Sequence, residues 1–227
     1  MKVFLDAGHG GKDPGALGNS LREKDINLSV ALKVGEILKR YNIDVLYSRT
    51  TDIFIELSER ATMANKANAD IFISIHCNAD ESVNAKGVET YSYPSSSKGT
   101  TLAKYIQDSI LQNKVYTLDR GIKIANFAVL RQSIMPSALI ELGFITNIED
   151  CKILRGKQDE LALAISKGVL NNLGIKETID VESYSVWAKE AMEWAIKLGL
   201  TDGTSPKEPI TLERFITVLH RYNKTLE

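Results

Sequence analysis

At 227 residues the chain has room for one full domain and a small second one, and 44% apolar residues supply an ordinary buried core. A formal net charge of −1 leaves no electrostatic footprint for nucleic acid or an anionic membrane, so neither is expected as a partner. Cys77 and Cys151, the only cysteines, cannot make a disulfide framework, and no apolar run approaches the about 18 residues of a membrane span.

The chain opens as a short apolar strand, Val3 to Leu5, followed directly by Asp6-Ala7-Gly8-His9-Gly10-Gly11-Lys12-Asp13-Pro14-Gly15-Ala16. Four glycines and a proline in that stretch sustain neither strand nor helix. They permit sharp turns and close approach of the backbone to something bound. His9, one of three histidines, sits where open α/β sheets place their chemistry, past the carboxyl end of a strand. The segment Leu21 to Asp25 then leads into a helix over about 26–41, with Leu28, Ala31 or Leu32, Gly35 and Leu38 as its apolar face. Glu23 falls at the helix entrance, where the dipole alone favours a carboxylate.

Ile43 to Tyr47 reads as the second strand, Leu57 to Asn68 as the second helix, and Ile71 to Ile75 as the third strand, running into His76-Cys77-Asn78. This β-α-β-α-β pattern implies parallel strands with right-handed crossovers, so the first and third strands deliver His9 and His76 to the same sheet edge. Gly87 to Tyr93 alternates with period two, predicting a strand with one wet face. Thr100 to Gln112 reads as a helix with Leu102, Ile106 and Ile110 inward, and Phe127 to Leu130 as a short apolar strand. Ser137 to Ile140 is a last buried strand closing on Glu141, Asn147 is an N-cap, and Gln158 to Asn172 is a helix stopped by Gly174. The predicted fold is α/β, a mostly parallel mixed sheet flanked by helices, followed by a small helical C-terminal module. The expected boundaries are a catalytic domain over 1–175, a linker over 176–183 and the module over 184–227.

His9, His76 and Glu141 each follow a strand in this reading, and Glu23 lies in the long loop after His9. Two imidazoles and one carboxylate are a familiar ligand set for catalytic zinc, with a fourth position left for water. Zinc lowers the pKa of such water to about 7 and polarises a carbonyl, while a carboxylate outside the ligand set serves as general base and acid. Spacing does not decide which glutamate takes which part. A lone histidine more often ends as a buried, backbone-bonded side chain. Two at strand ends favour a metal site.

These segments resemble the zinc-dependent N-acetylmuramoyl-L-alanine amidases of bacterial cell-wall hydrolysis, amidase type 3. The carriers are Leu5 to Ala16, Glu23 to Leu28, Ser48-Arg49-Thr50-Thr51-Asp52, Ser74 to Ala79, and Pro136 to Asn147, in the family's order over about residues 1–175. The resemblance implies His9, Glu23 and His76 as zinc ligands and Glu141 as the catalytic carboxylate. It also implies peptidoglycan as substrate, cut at the amide between the lactyl group of N-acetylmuramic acid and the L-alanine of the stem peptide. Cys77 stands where a small residue is expected, and a small thiol fits. Arg131 could take a stem-peptide carboxylate, but a solvated surface arginine is the better reading.

The tail resembles part of an S-layer-homology module through Trp187-Ala188, Ala191, Trp194-Ala195, Gly199-Leu200, Asp202-Gly203, Pro209-Ile210-Thr211, Glu213 and Phe215. About one repeat is present. Wall-glycan binding is the leading reading, with self-association through 184–227 or packing on the catalytic domain behind it. Met1-Lys2 precedes no apolar h-region or cleavage site of a secretory leader. The expectation is therefore synthesis in a cytoplasm and action on the wall after release, as in a phage endolysin. The alternatives are a host autolysin acting at mother-cell lysis, a zinc peptidase acting within stem peptides, and a catalytically dead wall binder. Retention of a general base beside three ligands argues against the last.

Overall fold

In the computed structural model of the chain, residues 1–175, 189–198, 200 and 212–224 are described. Six strands form the main sheet: β1 (Lys2–Ala7), β4 (Asp44–Tyr47), β5 (Ile71–Asn78), β6 (Val88–Ser92), β7 (Asp119–Ile124) and β8 (Ser137–Phe144), in the order β4-β1-β5-β8-β6-β7. The pairs β1–β4, β1–β5, β5–β8 and β6–β7 are parallel, and only β6–β8 is antiparallel. A two-stranded hairpin, β2 (Leu17–Gly18) with β3 (Leu21–Arg22), stands apart. The helices are α1 (Glu23–Lys39), α2 (Leu57–Lys66), α3 (Ser97–Gln112), α4 (Ala128–Gln132), α5 (Ile148–Gly156), α6 (Gln158–Asn172), α7 (Lys189–Lys197) and α8 (Leu212–Lys224).

Alternation along the strands divides the sheet into two unequal faces. On one, Val3 and Leu5 of β1, Ile71, Ile73 and Ile75 of β5, and Ala138, Ile140 and Leu142 of β8 pack on α1, α3 and α6 in a single cluster. Each fully buried aliphatic side chain there contributes about 1.5–3 kcal/mol over its exposed state, so this layer holds the sheet. On the other face Phe4, Phe72 and Leu139 pack on Ala64 of α2 and on Val129 and Leu130 of α4, with the Phe4 and Phe72 rings stacked 5.8 Å apart. The strand residues two and four further on, Asp6, Ser74, His76 and Glu141, share that second face but are polar. They form the floor of the site.

Local chemistry explains the element ends. Asn147 caps α5 by accepting the backbone N–H groups of Glu149 and Asp150, Ser96 accepts from Gly99 at the start of α3, and Gly174 follows α6 with φ +67°.

Several expectations need correction. Phe127 to Leu130 is not a strand: Phe127 is the N-cap of α4, and four apolar residues do not distinguish the two periods. Val88 to Ser92 has no wet face, because Gln107 of α3 bonds Val88 O and Thr90 Oγ1 from one side while Arg120 and Lys123 cover Glu89 on the other. The apolar face of α1 is Ile26, Val30, Ala31, Val34, Gly35 and Leu38, and Leu28 is only partly buried. His76 and Glu141 lie within β5 and β8 rather than after them, since the ladder between these strands runs on to Asn78 and Phe144.

The chain divides into two compact units, Met1–Lys176 and Glu177–Glu227. In the second, α7 and α8 meet through the rings of Trp194 and Tyr222, 5.4 Å apart edge to face, and Leu200 is buried. The expected linker 176–183 and most carriers of the tail resemblance (Trp187-Ala188, Gly199, Asp202-Gly203 and Pro209 to Thr211) lie outside the described residues.

Candidate metal centre

The loop after β1 lies flat against the next strand because residue 8 has no side chain. A Cβ on Gly8 would fall 2.3–2.7 Å from three atoms of the His76 imidazole, and one on Gly15 would fall 2.6 Å from Glu23 Oε2 and 2.7 Å from His9 Cδ2. His9 itself has φ 61°, a left-handed conformation that costs a non-glycine residue energy and persists only when its surroundings fix it. Two buried arginines do so. Arg49 donates from Nε to Ala7 O (3.0 Å) and from Nη2 to Gly8 O (2.9 Å) and Lys24 O (2.8 Å). Arg60 donates from Nη1 to Ala7 O (2.7 Å) and from Nη2 to His9 O (2.8 Å). It also pairs through Nη1 with Asp6 Oδ1 at 2.8 Å, and Ser74 Oγ donates to Asp6 Oδ2 at 2.7 Å. Every carbonyl from Ala7 to His9 is thereby held.

Glu23 is the first residue of α1. The β2–β3 hairpin returns the chain so that Glu23 N donates to Ala16 O and Ala16 N donates back to Glu23 Oε2 at 2.8 Å. Its Oε1 accepts from Cys77 N at 3.0 Å and Asn27 Nδ2 at 3.2 Å, and lies 3.2 Å from His9 Nε2 and 2.9 Å from His76 Nδ1. One ligand-type atom from each of His9, Glu23 and His76 falls within a 4.8 Å cluster. Zinc with bonds of about 2.0–2.2 Å needs tetrahedral ligand atoms separated by about 3.4 Å, close to the 3.2 and 2.9 Å from Glu23 Oε1 to the two imidazoles, so a small adjustment suits these three groups to one ion. The chemistry of the set supports the fit. His9 Nδ1 faces Asp13 Oδ2 at 2.8 Å, leaving Nε2 for the metal, the usual way a carboxylate orients a ligating histidine.

Electrostatics reinforce the grouping. Burial alone would lower the pKa of His9, but hydrogen bonds and charge from Glu23 and Asp13 outweigh it and raise it to about 9. Burial of His76 is likewise overcome by Glu23, which raises it. Burial opposes ionisation of Glu23, yet the two imidazoles hold its carboxyl far below the ordinary carboxylate range. A cation entering here displaces protons from the imidazoles and inherits an ionised carboxylate.

Glu141 comes from the neighbouring strand, in register with His76 across β5–β8 and with Glu89 across β6–β8. It does not belong to the three-residue cluster. Its Oε2 is buried without a hydrogen-bond partner among the described residues. Burial raises its pKa to about 7, His76 pulls it down in part, and Glu23 and Glu89 push it up. An acceptor poised near neutrality beside a metal-type cluster is suited to carry a proton in both directions.

All four predicted site residues thus meet on one edge of the sheet, His9, Glu23 and His76 as a cluster and Glu141 beside them. Arg131 is exposed and donates to Asn126 O and Oδ1, as a surface arginine does. Sequence reasoning missed the two arginines behind His9 and the role of Asp13, although Arg49 and Asp13 lie inside the motif segments.

A family model described as N-acetylmuramoyl-L-alanine amidase matches residues 3–171. The sporulation-specific N-acetylmuramoyl-L-alanine amidase of Bacillus subtilis strain 168 is 39% identical over 190 residues, 82% of this chain and 73% of that one. The endolysin of Bacillus phage SPP1 is 40% identical over 183 residues, covering 77% and 67%. Among solved structures, the N-acetylmuramoyl-L-alanine amidase from Clostridium difficile 630 superposes with a TM-score of 0.73 at 42% identity, over 77% of this chain and 97% of that one.

Proposed function

Because the chain belongs to the N-acetylmuramoyl-L-alanine amidase family, we propose that it hydrolyses the amide between the lactyl group of N-acetylmuramic acid and the L-alanine of the peptidoglycan stem. The gathering of His9, Glu23 and His76, with Glu141 in register beside them, carries this reading. The three clustered residues would hold Zn²⁺, which when bound polarises the scissile carbonyl and lowers the pKa of water. Glu141 accepts the proton of the attacking water on its carboxylate and returns it to the alanine nitrogen, which must be protonated to leave as an amine. Asp13 fixes the His9 tautomer, and the Cys77 N–H and Asn27 amide hold the Glu23 carboxylate in place.

Mass spectrometry of digested peptidoglycan tests the bond. Intact stem peptides with a free N-terminal alanine, and lactyl carboxylates left on the glycan, are expected. Chelation should abolish the reaction and zinc should restore it. Fragments cut within the stem would replace the amidase by a peptidase, and full activity in a zinc-free sample would remove the metal. A phage endolysin and a sporulation-specific N-acetylmuramoyl-L-alanine amidase both stand among the relatives.

For residues 184–227 the proposal is wall-glycan binding, for which exposed Trp194 and Phe215 supply aromatic surface. A chain ending near Lys176 should cleave soluble muropeptides at close to the full rate but slow on whole walls, because tethering raises the local substrate concentration. Equal activity on both substrates removes the proposal.

A further inference from the structure

The polar end of the second sheet face continues past Glu141 onto β6 and β7. Glu89 lies opposite Glu141, one strand spacing or about 4.8 Å away, and is buried. Both of its oxygens are doubly engaged. Oε1 accepts from Asn78 Nδ2 and Tyr91 Oη, each at 2.7 Å, and Oε2 accepts from Arg120 Nε and Lys123 Nζ, each at 2.5 Å.

The charges within this group do not cancel. One cation suffices to neutralise Glu89; the second leaves one positive charge on the Glu89–Arg120–Lys123 group, which Glu141 on the adjacent strand offsets when ionised. Neither cation is sealed in, since the Arg120 and Lys123 side chains remain 32% and 36% exposed. Each retains donors: Lys123 uses one of three on Glu89, and Arg120, whose guanidinium lies over the Phe144 ring at 4.7 Å, adds to its Glu89 bond a long contact of 3.4 Å to Lys86 O. Tyr91, packed edge to face on Phe127 at 5.0 Å, borders Lys123, whose Nζ lies 5.9 Å from the Tyr91 ring centroid.

We propose that Arg120 and Lys123 form an anion subsite beside Glu141 that takes a carboxylate of the stem peptide. The assignment rests on the amidase reading above. Extended peptide spans about 3.3–3.6 Å per residue, so a carboxylate one or two residues past the scissile amide lies about 3–7 Å from it. That span is comparable to the one strand spacing from Glu141 to Glu89, whose Oε2 both cations contact. Glu89 then acts as the fixed anchor that aims both cations, while their remaining donors meet the substrate in a charge-assisted contact.

The test uses two soluble muropeptides that differ only in whether the residue after L-alanine carries a carboxylate or a carboxamide. The unmodified protein should prefer the carboxylate by about tenfold in kcat/KM, carried mainly by KM, the scale of a partly solvated charge-assisted contact. Lys123→Gln and Arg120→Gln should each move the ratio of the two substrates toward one, and Lys123→Arg, which keeps the charge, should retain it. A purely structural cluster would lower both substrates by one factor and leave the ratio where it was; that result, or no preference in the unmodified protein, overturns the subsite. Failure to cleave either muropeptide at the lactyl–alanine amide would overturn the amidase reading and the subsite together.

Discussion

His9 and His76 reach the same edge of the same sheet and face the same carboxylate, yet they are held by different means. His76 is placed by strand register. Its ladder to β8 sets Glu141 opposite it, and β8 sets Glu89 opposite Glu141, so three polar positions of the candidate site follow from one alignment of strands. His9 has no ladder. It sits at φ 61° in a glycine-rich loop, and its position depends on guanidinium groups from Arg49 and Arg60, sequence-distant side chains bonded to the carbonyls around it. A site half built on strands needs little beyond correct pairing. A half built on a loop needs side chains supplied from elsewhere, and those are the places to attack it.

The largest expected effect lies on the strand side. Glu141→Gln keeps shape and register, so the protein should fold and bind added zinc as the unmodified chain does while losing about 10²–10⁴-fold in turnover, the range for a positioned general acid–base. Turnover on muropeptides together with zinc content by atomic absorption distinguishes this from ligand loss. Near-normal turnover, or a variant that comes off the column without metal, would show that Glu141 has another role.

The strand half was largely legible in the sequence, and the loop half only in part. Apolar runs at Val3, Ile71 and Ser137 announced parallel strands, and two histidines with a glutamate near their ends pointed to the candidate site. Spacing left Glu23 and Glu141 interchangeable; their separation depends on α1 starting at Glu23 and on the register of β8, neither of which a one-dimensional pattern displays. Arg60 was invisible. An arginine amid Leu57 to Lys66 reads as a solvated helix face, and its partner Asp6 stands 54 positions away. β7 was missed because Asp119-Arg120-Gly121-Ile122-Lys123-Ile124 mixes charge, glycine and isoleucine without a clean period.

The next effect in size breaks the loop half from outside. Arg60→Met removes a fully buried guanidinium and leaves Asp6 facing only Ser74, while His9 O loses its donor. Removing one partner of a buried ion pair typically costs about 3–5 kcal/mol. Denaturant unfolding should show a loss on that scale, and zinc retention at equal folded fraction should fall, since His9 is no longer fixed. A destabilised variant that binds zinc as tightly as before would mean that the loop holds its own shape, and the contrast between the two histidines would dissolve.

The smallest effect tests the same half without disturbing the fold. Asp13 faces His9 Nδ1 through Oδ2 at 2.8 Å and receives the Gly15 N–H on Oδ1 at 3.1 Å. In Asp13→Asn the amide oxygen can still accept from Gly15, but the NH₂ that replaces Oδ2 cannot accept from the imidazole. His9 Nδ1–H then loses its acceptor, and Nε2 is no longer held deprotonated toward the metal. Loss of such an orienting carboxylate lowers metal affinity by about 10–100-fold, and keeping the turn bond places Asp13→Asn at the lower end. Stability should move by no more than about 0.5 kcal/mol, because the side chain is partly exposed and the loop carbonyls stay bound to Arg49 and Arg60. Zinc titration against a competing chelator reads the affinity, and a parallel melt reads the stability. Affinity equal to the unmodified protein would place the orientation of His9 with the backbone clamp alone; a large drop in melting temperature would make Asp13 a fold element rather than a tautomer-setting one.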